Sequence, residues 1–98
     1  MAKFADTTVF QRKTAIEQRP VDRAAVLVNP NSQLYFGVNR VGARIWNLLE
    51  NPCRIPELVC ILSSEFAVDE AVCRNEIEVF LEQLLAENLV VRAPQTSR

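Results

Sequence analysis

The chain has 98 residues, 49% of them hydrophobic, and a net charge of −1, which suits one compact domain with one core and is too short for two. It contains 2 Gly, 5 Pro and no His; no segment has the polar or repetitive bias that prevents folding, and the commonest general base is absent. No Gly-rich phosphate loop, no apolar run near the roughly 20 residues of a membrane span and no secretory signal occur, so a soluble, cytoplasmic, non-catalytic protein without a cofactor is expected.

In chain order, residues 1–12 read as a flexible arm, 13–92 as the folded domain and 93–98 as a disordered tail. From Thr14 to Val38 the pattern is that of strands: TAIEQR, a turn at Pro20-Val21-Asp22-Arg23, AAVLVN, a turn at Pro30-Asn31-Ser32, then QLYFGV. Such short turns predict an antiparallel meander whose third strand keeps one unpaired edge. Tyr35 and Phe36 must point to opposite faces of that sheet, because side chains alternate along a strand, and the sequence leaves open which one meets the core.

The period changes at Asn39, a good N-cap. Val41, Ile45, Leu48 and Leu49 then fall on one side of a helix, with Arg40, Arg44 and Asn47 on the other and Trp46 at the border. Gly42 inside that helix predicts a close neighbour on the second or third helix. Asn51-Pro52 ends it. A second helix opens with Pro56 and turns Leu58, Val59, Leu62 and Phe66 inward.

A third, from about Asp69 to Glu87, presents Cys73, Ile77, Phe80, Leu81, Leu84 and Leu85 as its core face. Val72, Glu76, Val79 and Gln83 form a second, half-apolar row on the same helix. Leu89, Val90 and Val91 follow as a short extended piece. Together these elements predict an α+β, winged-helix-like domain in which a three-stranded antiparallel sheet is followed by three helices.

The three cysteines, Cys53, Cys60 and Cys73, contain no C-x-x-C pair and have no His to complete a tetrahedral site, so they read as reduced apolar side chains rather than metal ligands. A nucleic-acid interface requires Lys and Arg against the phosphates. The third helix sets Asp69, Glu70, Glu76, Glu78, Glu82 and Glu87 against Arg74 alone, which argues against DNA.

The run NPNSQLYFGVNRVGARIWNLL, followed by IPELVCILSSEF and VDEAVCRNEIEVFLEQLLAENLV, resembles the PqqD-like family, the leader-recognition domains of ribosomal peptide modification. The resemblance extends from about Arg12 to Val91, and Tyr35 to Trp46 is its most specific part. It implies an adaptor that binds the leader of a precursor peptide and presents it to a modifying enzyme of the radical or leader-peptidase type. It further implies that the leader is held as an added strand between the third strand, at Gln33, Leu34, Tyr35, Phe36 and Gly37, and the third helix, at Val72, Glu76, Val79 and Gln83.

Strand addition has its own physical sense on such a surface. Backbone hydrogen bonds grip any peptide, while pockets between strand and helix select side chains. Glu76, with Glu70 or Glu78 near it, would then attract a basic leader residue, and Arg40 and Arg44 are candidates to meet the enzyme. Two other readings remain: a self-associating module, a possible homodimer, that uses the same strand edge, and a winged-helix DNA-binding protein.

Overall fold

The structure is a computed structural model, and the residues it describes are 4–13, 16–21, 24–29 and 34–93. Its strands are β1 (Val9–Arg12), β2 (Glu17–Val21), β3 (Ala24–Asn29), β4 (Leu34–Val38), β5 (Cys53–Arg54) and β6 (Val90–Ala93). Its helices are α1 (Arg40–Leu48), α2 (Ile55–Glu65) and α3 (Glu70–Ala86). The expected meander is the antiparallel sheet β2-β3-β4, with Leu27 opposite Phe36 and Ala25 opposite Val38.

Two boundaries differ from expectation. Pro20 and Val21 belong to β2 rather than to a turn, paired with Ala25 and Ala24. β2 lies at the edge of its sheet, and there a proline's missing N–H need cost no ladder hydrogen bond. The expected turn at residues 30–32 and the tail beyond Ala93 lie outside the described residues.

The second difference concerns the expected flexible arm. Val9–Arg12 is the central strand of a second sheet, β5-β1-β6, in which Phe10 lies opposite Cys53 and Arg92. Phe10 is fully buried, and Phe4 packs edge-on against it with ring centroids 5.1 Å apart. Arg74 on α3 holds this segment further, donating to Asp6 Oδ1 at 2.5 Å and to Glu78 Oε2 at 3.3 Å. Glu78 is therefore a buried, paired carboxylate and is unavailable to an incoming base.

Local chemistry explains the helix ends. The Asn39 side chain accepts from the Gly42 N–H at 2.8 Å, and Asp69 accepts from the Ala71 and Val72 N–H groups, each satisfying orphan donors of a first turn. α2 carries Pro56 in its first turn, while the Glu57 carboxylate accepts from the Arg54 N–H at 2.7 Å. At the far ends Ala67 and Asn88 take left-handed backbone, and the Val68 and Leu89 N–H groups donate to Ser63 O and Leu84 O. This pattern closes both last turns.

One core joins the two sheets and three helices: Leu27, Val38, Ile45, Leu49, Leu58, Leu62, Ile77, Leu81 and Leu84 are buried in it. Trp46 also belongs there rather than at the border, 1% exposed, with the Arg12 guanidinium 5.6 Å from its ring. Phe80 and Leu85, expected in the core face of α3, are only partly buried and pack against its margin.

Candidate functional site

β4 pairs with β3 alone among the described residues, so backbone groups along its other side face away from the sheet. Its alternation resolves the two aromatics. Phe36 is half-buried against the core, with its ring 6.5 Å from that of Phe80 on α3, while Tyr35 is 67% exposed on the outer face. Gly37 follows on that outer face with open space where a Cβ would stand.

Just beyond the end of β4 a groove of about 570 Å³ opens between α1 and α3. Glu76, Val79 and Gln83 line its α3 side, and Asn39, Val41, Gly42 and Ile45 its α1 side, with Phe80 between them and β4. The helical spacing that gathers Glu76, Val79 and Gln83 on one row is the one legible in the sequence. Val72 is exposed on the same row but does not line the groove.

Tyr35, Phe36 and Gly37 do not line the groove either; the strand reaches it through the Phe36–Phe80 contact. Gln33 and the side chain of Leu34 lie outside the described residues. The site residues that sequence reading missed are Asn39, Val41, Gly42, Ile45, Asn75 and Phe80. Asn39 and Val41 read as a cap and a core position. Asn75 had no signal, and Phe80 shares the core spacing of α3.

A smaller apolar cavity of about 90 Å³ adjoins the groove, sharing Val41 and Glu76 with it and walled by Leu62, Phe66, Val68 and Ile77. Cys73 also lines it. Burial pushes that thiol's pKa up, and the charges of Glu76 and Glu70 push it further. Among the described residues, Glu76 is the one charged residue on the groove lining. The cations of α1 are engaged elsewhere: Arg44 forms a two-pronged pair with Glu65, 2.7 Å at its shortest, and Arg40 lies 5.1 Å over the Phe66 ring. Among the described residues no group of three or more His, Cys, Asp or Glu is placed to hold a metal ion.

A small α+β domain with an open strand edge beside a helix-walled groove is the form of a peptide-docking module. The family model described as coenzyme PQQ synthesis protein D (PqqD) matches residues 24–90, and the chain belongs to that family. The solved structure of TbiB1 in complex with the TbiA(beta) leader peptide is similar at 31% identity and a TM-score of 0.73, covering 82% of this chain and 93% of TbiB1. The fold is also that of a lasso peptide synthetase B1 complexed with its leader peptide, at 21% identity and a TM-score of 0.73, over 84% of this chain and 96% of the other. No curated protein sequence matches.

Proposed function

We infer that this protein is a non-catalytic adaptor that binds the leader of a ribosomally made precursor peptide and presents it to a peptide-modifying enzyme, of the radical or leader-peptidase type. The observation that carries the reading is the edge of β4 left unpaired among the described residues, continued at its end by the groove between α1 and α3. An extended peptide added to that edge satisfies its own backbone groups and those of β4, and its side chains on the helix-facing side meet Phe80, Val79 and Gln83. Membership of the PqqD family and the leader-peptide complex of TbiB1 support the same role. Among the described residues no helix is long and apolar enough to cross a membrane.

The test is a two-dimensional NMR titration of the labelled protein with peptides encoded by short open reading frames beside its gene. Saturable shifts at Tyr35 to Gly37 and at Glu76, Val79 and Gln83 are expected. Shifts that follow protein concentration alone, with none from any peptide, would replace the adaptor by a module that pairs β4 with a second copy of itself.

A further inference from the structure

Two features of the groove bear on what enters it. The 90 Å³ cavity is the more enclosed of the two spaces, and five of its walls are the apolar side chains of Val41, Leu62, Phe66, Val68 and Ile77. A small apolar space of that kind accepts an apolar group the size of one aliphatic side chain. Lining both this cavity and the larger groove stands Glu76, exposed and with no ion pair among the described residues.

Among the described residues no neighbouring cation forms an ion pair with that carboxylate. Arg44 is neutralised by Glu65, Arg74 is held by Asp6 and Glu78 on another side of α3, and Arg40 stacks on Phe66 without lining the groove. The remaining polar groups of the lining, from Asn39, Asn75 and Gln83, are neutral. A cationic side chain entering here meets a partner, and an anionic one meets repulsion.

We propose, building on the strand-addition reading above, that this domain selects leaders carrying a Lys or Arg two residues from an aliphatic side chain, the aliphatic group filling the cavity and the base pairing with Glu76. The two-residue spacing follows from strand geometry. Residues i and i+2 of an extended strand share a face about 7 Å apart, and Glu76 lines both the cavity and the groove, so a Lys or Arg two positions from the aliphatic residue is on the same face and beside that carboxylate.

A positional-scanning library of fluorescent ten-residue peptides, binned by bound fraction, tests this on the full chain. The wild-type protein is expected to enrich Lys or Arg at two positions from Leu, Ile, Val or Met. Glu76→Gln should lower the affinity of the enriched peptides by roughly threefold, and Glu76→Lys should exchange the basic preference for Asp or Glu, as an exposed charge pair allows. Because Glu76 is exposed, both variants should keep the wild-type melting temperature, which is measured alongside. Binding of library peptides with no basic preference, or with one that survives Glu76→Lys, overturns the selection and leaves the adaptor reading in place. Binding of no peptide to the wild-type protein overturns both.

Discussion

Gly42→Ala separates helix propensity from packing, because the two predict opposite signs. Alanine in place of glycine inside α1 stabilises a helix by about 1 kcal/mol when nothing else changes. At this position a Cβ would stand 3.1 Å from Phe80 Cε1, from Phe80 Cζ and from Val38 Cβ. The Phe80 ring is half-buried and is able to swing towards the groove, but Val38 Cβ is carried on the backbone of β4, buried and paired opposite Ala25, and has no rotamer that withdraws it.

Forcing a methyl group into a packed site costs about 1 to 3 kcal/mol. Setting the propensity gain against this leaves a net loss of about 1 kcal/mol, which lowers the midpoint of a domain of this size by roughly 4 to 8 °C. Gly37→Ala is the control: a Cβ there meets nothing within 4 Å, and its backbone is not left-handed. That substitution should raise the midpoint, since glycine in a strand interior costs roughly 0.5 to 1 kcal/mol relative to alanine. Thermal unfolding followed by circular dichroism reads both. A midpoint for Gly42→Ala that rises as much as for Gly37→Ala would refute the close approach of α1 to Phe80 and with it the floor of the groove.

Val79→Ser should weaken peptide binding by roughly fivefold, or about 1 kcal/mol, because Val79 is 39% exposed on the groove wall and a peptide would cover that fraction of a valine; losing the part already packed against the domain should lower stability by about 1 kcal/mol as well. Isothermal titration calorimetry on folded variant checks it, and unchanged affinity would remove α3 from the binding surface. Arg74→Met should cost about 2 kcal/mol in urea unfolding, because the buried Glu78 carboxylate loses its partner and the Asp6 segment its tie.

The Arg44 guanidinium holds the Glu65 carboxyl below the usual carboxylate range through its hydrogen bonds. The pair therefore contributes stability above the ordinary carboxylate pKa and loses it as pH falls through the depressed value. An NMR titration should show this low midpoint for Glu65 and its return to the ordinary range in Arg44→Gln. Of the thiols, exposed Cys60 should react with a disulfide reagent at once. Cys73 and Cys53 should wait for denaturant, since burial pushes both thiols' pKa values up and the Cys53 thiol also donates to Leu48 O at 3.2 Å.

The residues by themselves determined whatever depends on neighbours a few positions apart. Asn39 and Asp69 cap α1 and α3, Pro56 opens α2, and the alternation of AAVLVN and LYFGV defines the middle and edge of the meander. The row of Glu76, Val79 and Gln83 was legible for the same reason, being a consequence of helical pitch alone. Tertiary structure decided what depends on residues far apart in the chain.

β1 was invisible locally, because Val9 and Phe10 become a strand only when β5, from the middle of the sequence, and β6, from its other end, arrive beside them. Glu78 reads as a surface acid until the segment of Phe4 and Asp6, from the other end of the chain, is seen to hold its helix partner Arg74. Tyr35 and Phe36 are equal candidates for the core until α3 brings Phe80 up to one face of β4. The groove itself belongs to this second class. Its walls come from a cap, a core position and a helix row that share no segment, and only the packing of α1 against α3 turns them into one surface.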